Sequence, residues 1–165
     1  MSLASFDLHC ISAADGWLDL GDWRSALGEL EAISLKAQKH PGVLALRFRA
    51  YSAGARWIEA LTVAEEGVRV DTEDPQAWIH RSFALHELKR TPEAEALLLP
   101  ALDKFPAESI IPYNLACYAC VQGELEKARA LLQRASAIGD PKELRRMAQH
   151  DPDLAALRLE DKSAV

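Results

Sequence analysis

The same five-residue punctuation recurs four times along this chain at an unbroken interval of 34 residues. It reads Asp22-Trp23-Arg24-Ser25-Ala26, Arg56-Trp57-Ile58-Glu59-Ala60, Arg90-Thr91-Pro92-Glu93-Ala94 and Glu124-Leu125-Glu126-Lys127-Ala128. Alanine stands at 26, 60, 94 and 128, and Trp, Trp, Thr or Leu precedes it by three. A fixed period of this length marks stacked helix pairs, in which no unit can bury its own apolar face and each neighbour must do it. The expected fold class is therefore all-α, built from four helical hairpins.

Within each period two apolar-periodic segments flank a short turn. In the third, Pro75 to Leu88 reads as a first helix with Asp74 as its cap, and Trp78, Ser82, Leu85 and Leu88 share one face. Thr91 is expected to cap a second helix that Pro92 opens and that runs through Leu97, Leu98, Ala101 and Leu102 to Pro106. The same pattern predicts helices near 7–20, 23–38, 42–54, 57–71, 108–121 and 125–138.

The alanines have a steric reason. Where the helices of a pair cross closely, a larger side chain would overpack at a cost of about 1–3 kcal/mol. Ala14, Ser82 and Ala116 are the small residues on the facing first helices, whereas the second unit places Phe48 there, which predicts a splayed or rotated pair.

These residues resemble the tetratricopeptide repeat. With the ladder alanine at repeat position 20, Trp78 falls at 4, Leu115 at 7, Trp17 and Tyr51 at 11, and Trp23 and Trp57 at 17. Leu30, Leu98 and Leu132 follow at 24, Ala101 and Ala135 at 27, and Pro106 at 32. The resemblance implies a right-handed superhelix of four repeats at 7–40, 41–74, 75–108 and 109–140. Arg47 and Arg81 depart from it at position 7, usually apolar, so those helices are expected to rotate or to use aliphatic stems. Prolines displaced to Pro41, Pro75 and Pro141 predict helix ends a few residues longer.

Residues 141–157 read as a helical cap, with Leu144, Met147, Leu154 and Leu157 sealing the last pair. Residues 158–165 read as a frayed tail, and Asp151-Pro152-Asp153 as helix-start chemistry.

The resemblance also implies that first helices line a concave groove. The residues it selects as a peptide-binding groove are Ile11, Asp15, Arg49, Ile79, His80, Phe83, Tyr113, Asn114 and Cys117. Ile79, Phe83 and Tyr113 would form an apolar anchor, and Arg49, His80 and Asn114 would hold backbone or an acidic group. Neither three-repeat window carries the lysines with which some family members grip a chaperone's C-terminal carboxylate.

The net charge of -6 disfavours a nucleic-acid partner, because such affinity is driven by Lys and Arg. No stretch is apolar enough for a membrane span, the N-terminus has no signal-peptide pattern, and three cysteines suit a reducing compartment. Cytoplasm is the expected location. Cys117 and Cys120, with His80 and His86, raise a metal or redox alternative. Cysteines within a continuous helix, however, are explained as small apolar packing residues, so no metal or cofactor is expected. No phosphate loop, His-Glu-x-x-His or nucleophile elbow occurs, and Asp15 with Asp19 reads as a solvated helix face, so no enzyme is expected. The expected function is a protein-interaction adaptor binding a partner's peptide. A bacterial secretion chaperone and a homo-oligomeric scaffold using Trp17 and Trp57 are the alternatives.

Overall fold

The computed structural model describes residues 3–158. Its helices are α1 (Ser5–Asp19), α2 (Trp23–Ala32), α3 (Pro41–Ala53), α4 (Trp57–Val70) and α5 (Pro75–Glu87). They continue with α6 (Thr91–Leu98), α7 (Ala101–Lys104), α8 (Ile110–Val121), α9 (Leu125–Ile138) and α10 (Pro141–His150), and a 3-10 turn follows at Pro152–Leu154. The chain divides into two compact units, Met1–Ala84 and Leu85–Val165, with the divide inside α5. In the first unit α1 packs on α2 and α3 on α4; in the second α8 packs on α9 and on the 3-10 turn.

Ala26, Ala60, Ala94 and Ala128 are all fully buried, as the steric argument requires, and so are Ala14, Ser82 and Ala116. A second 34-residue grid appears only in the backbone. Gly21, Ala55, Lys89 and Gly123 each adopt a positive φ, at 79°, 52°, 63° and 82°. The amide after each, at Asp22, Arg56, Arg90 and Glu124, donates 2.9 Å back to the carbonyl of Trp17, Tyr51, Leu85 or Ala119. The left-handed residue's own amide closes the inner bond, as from Gly21 to Leu18 at 3.0 Å and from Lys89 to His86 at 2.8 Å. This Schellman closure satisfies the orphan carbonyls of the first helix and turns the chain into the second.

Three expectations about helix lengths are corrected. The second helix of the first hairpin stops at Ala32 rather than 38, because Ser34 donates its amide to Asp7 Oδ1 and its hydroxyl to Asp7 Oδ2, both at 2.8 Å. Arg47 occupies the freed helix end: its Nη2 reaches Leu30 O at 3.0 Å and also Gln38 Oε1, while Gln38 Nε2 donates to Ile33 O at 2.7 Å. The arginine at repeat position 7 is thus a helix-end clamp, and its polar head explains the departure. The second helix of the third hairpin is interrupted between α6 and α7, because Pro100 has no N–H for the i→i−4 ladder. Its start is also different, since Arg90 and not Thr91 holds the cap position, and Thr91, already inside the helix, turns its hydroxyl to His86 Nδ1 at 3.0 Å.

The displaced prolines open helices instead of prolonging the preceding ones. Pro41, Pro75 and Pro141 each begin a helix. Gly42 N donates to His40 Nδ1 at 3.2 Å, Gln76 N to Asp74 Oδ1 at 3.0 Å and Lys142 N to Asp140 Oδ1 at 2.8 Å. Phe48 does not prevent α3 from packing on α4; it is buried, and together with the small residues Ala64, Gly67 and Ala77 it lines a cavity of about 20 Å³. Leu144, Leu154 and Leu157 are buried, Met147 is half-buried, and α10 packs on α9. Arg158, expected to begin the tail, is anchored through Nη1 to Ala148 O at 2.6 Å and Asp151 O at 2.8 Å. The rest of that expected tail lies outside the described residues. No helix among them is long and apolar enough to cross a membrane.

Candidate peptide-binding faces

In the first unit the face is carried by α1, α3 and the start of α5. Ile11 is half-buried against the core formed by Cys10, Ala14 and Leu30. One helix further along, Arg49 Nη1 pairs with Asp15 Oδ1 and Arg49 Nη2 lies 3.6 Å from Asp19 Oδ1. The Arg49 and Asp15 side chains are 48% and 52% exposed, so this pair is solvated and weakly held. Phe83 is 36% exposed and sets its ring edge-on to Trp57, 5.5 Å between centroids. Trp57, expected on an exposed face, is half-buried in that contact.

Two expected groove residues of this unit are placed otherwise. Ile79 is buried in the core, since α5 turns repeat position 5 inward. His80 lies flat on Phe48, 4.0 Å between ring centroids, and burial holds its imidazole down at about 4 against the opposing pull of Asp74. It is neutral near pH 7, a packing residue rather than a cationic clamp.

In the second unit the corresponding face belongs to α8 and the end of α5, and it is covered. Tyr113 and Cys117 are only 3% and 4% exposed. The Tyr113 hydroxyl donates to Asp151 Oδ2 at 2.9 Å, and Cys117 Sγ donates to the same oxygen at 3.4 Å. Asp151 Oδ1 meanwhile accepts the Asp153 amide at 3.0 Å. Asp153 Oδ2 lies 3.0 Å from His86 Nε2, and the buried His86 ring stacks on Tyr118 at 4.9 Å. Asn114 is half-buried between these positions on the helix. Tyr113 and Cys117 therefore face the chain's own C-terminal turn, contrary to an open groove.

Burial and the Asp151 carboxylate push the Cys117 thiol well up, so it stays protonated and is a poor nucleophile or metal ligand. Among the described residues no group of three or more His, Cys, Asp or Glu side chains is placed to hold a metal. Asp151 and Asp153 are the site residues that sequence reasoning missed. Their spacing was visible as helix-start chemistry, and one Asp151 oxygen does serve that purpose; the second oxygen's destination, 34 and 38 residues back in the chain, carries no local signal.

Solved structures of similar shape decide the fold. MamA residues 41–end from Desulfovibrio magneticus RS-1 superposes with a TM-score of 0.73 at 19% identity, covering 98% of this chain and 94% of that one. TTC0263, a thermophilic TPR protein of Thermus thermophilus, gives 0.74 at 22% identity, covering 90% and 79%. The chain has the tetratricopeptide-repeat fold. YrrB, described as a TPR protein with an unusual peptide-binding site, gives 0.63 at 13% identity, covering 88% of this chain and 79% of that one. No protein-family model matches the sequence, and no curated protein matches it. The match to tetratricopeptide-repeat structures thus rests on three-dimensional similarity, which fits a period kept by steric needs while the remaining positions vary.

Proposed function

We propose that this chain is a protein-interaction module that holds a peptide segment of a partner on the face formed by α1, α3 and the start of α5. The observation that carries this reading is the exposure of three successive position-9 side chains, Asp15, Arg49 and Phe83, each directly after a buried helix residue at Ala14, Phe48 or Ser82. Arg49 exchanges its solvated partner Asp15 for a carboxylate or carbonyl of the peptide at little cost. Phe83, with the exposed Leu8 and half-buried Ile11, supplies apolar contact. Binding needs little ordering of the module itself, because the helices are already formed. The reading requires no cofactor and no chemical step. The peptide-binding site reported for YrrB is consistent with it.

Peptides selected on the intact chain from a displayed library provide the test. Arg49→Ala and Phe83→Ala should each weaken binding about ten-fold, the range expected of interface hot spots. Unchanged affinity in both folded variants would overturn the assignment of this face.

A further inference from the structure

On the covered face of the second unit, three buried polar groups contact two carboxylates of the chain's own C-terminal turn. An apolar cap needs only Leu144, Leu154 and Leu157, all of which are buried. The structure adds a hydroxyl, a thiol and an imidazole beneath the turn, from Tyr113, Cys117 and His86. Buried polar groups are costly unless partnered, and here Asp151 and Asp153 together partner all three. His86 is held in place for that contact. Its Nε2 lies 3.0 Å from Asp153 Oδ2 and its Nδ1 3.0 Å from the Thr91 hydroxyl, so both ring nitrogens are engaged and the ring orientation is held.

The turn shows what this face accepts. Asp151-Pro152-Asp153-Leu154 places carboxylates two residues apart on one side of a 3-10 turn and a buried leucine immediately after them. We propose that α8 and the end of α5 form a recognition site for Asp-x-Asp-Leu segments, and that residues 151–154 act as an intramolecular ligand. A partner presenting the same acidic turn displaces them. This extends the interaction-module reading to a second face and names its ligand chemistry, yet it uses no residue of the first face. Tethering gives the internal turn an effective concentration on the order of millimolar, so a free peptide competes poorly until the internal turn is weakened.

The probe is a fluorescent synthetic peptide with the sequence of residues 150–158, titrated against the full chain. Asp151→Ala/Asp153→Ala removes the competitor's carboxylates and should raise peptide affinity at least ten-fold over the unaltered chain. The gain should vanish when the peptide's own aspartates become asparagines, or when Tyr113→Phe and His86→Gln are added to the protein. A folded double-alanine variant that binds no better than the unaltered chain would overturn the proposal. If that variant does not fold, Asp151→Cys decides, because its new thiol lies beside Cys117 and can be crosslinked to it. Binding should be absent in the crosslinked chain and appear on reduction; equal binding in both states would overturn the proposal. Arg49→Ala should leave this titration unchanged, which separates failure here from failure at the first face.

Discussion

Repeat position 9 is occupied by Asp15, Arg49, Phe83 and Cys117, and these four residues meet two different fates. The first three, in residues up to Ala84, are exposed; the fourth, beyond Leu85, is buried under a turn from the chain's own C-terminus. A period of 34 residues thus sets where a side chain points from its helix but not what it meets there. In the first unit the face meets water and a loose ion pair. In the second it meets Asp151 and Asp153, and the residue types have followed: an arginine and aspartate where solvent reaches, a tyrosine, cysteine and histidine where it does not.

The largest test of this contrast is truncation on each face. Tyr113→Ala should cost about 3–5 kcal/mol in urea denaturation, because it empties a buried aromatic site and removes one of the donors to Asp151. Phe83→Ala removes a ring already one-third exposed and should cost about 1 kcal/mol. Equal losses would mean that the two faces are packed alike. All four tryptophans, Trp17, Trp23, Trp57 and Trp78, lie in the first unit, so their fluorescence follows that unit while far-UV dichroism follows both.

The same pair of signals sharpens the comparison with pH. The His80 imidazole is held at about 4 in the folded chain against an ordinary 6.5. The unfolded chain therefore takes up the proton first as pH falls, so stability present above pH 6.5 is lost between about 6.5 and 4. The loss should be on the order of 2 kcal/mol, reported by tryptophan fluorescence, and His80→Asn should flatten it. A profile that stays level in the unaltered chain would contradict the burial of His80 against Phe48.

The scaffold was legible in sequence because steric requirements are local and periodic. Four alanines at a fixed interval could be read directly as helix crossings, and each is fully buried. Helix ends were less legible, since Asp7 and Arg47 decide where α2 stops from 27 and 17 residues away. The interruption at Pro100 was readable in principle, because a proline there removes a ladder donor whatever surrounds it. Of the expected groove residues, Ile79, Tyr113 and Cys117 are buried, His80 is packed, and the acidic turn that covers α8 gave no periodic signal at all. Periodicity locates a face; only tertiary structure says whether something already lies on it.

The left-handed turn positions give a smaller test that should not distinguish the units. Gly21 and Gly123 adopt positive φ freely, whereas Ala55 in the first unit and Lys89 in the second hold it against their Cβ atoms. Ala55→Gly and Lys89→Gly should each stabilise the chain by about 1 kcal/mol, less whatever the added freedom of the unfolded glycine offsets. Similar gains would show that turn closure is a property of the repeat.

The smallest expected effect concerns Arg49. Removing a solvated ion pair should change stability by no more than about 0.5 kcal/mol, so Arg49→Ala should melt with the unaltered chain. A buried carboxylate partner behaves differently: Tyr113→Phe keeps the ring's volume but leaves Asp151 one donor short, and should lower stability by about 1–2 kcal/mol. That substitution therefore asks whether the hydrogen bond itself, apart from the aromatic packing, holds the turn down. If Tyr113→Phe is as silent as Arg49→Ala, the Tyr113 hydroxyl does not hold the turn, and its hold passes to the Cys117 and His86 contacts and to the buried Leu154 and Leu157.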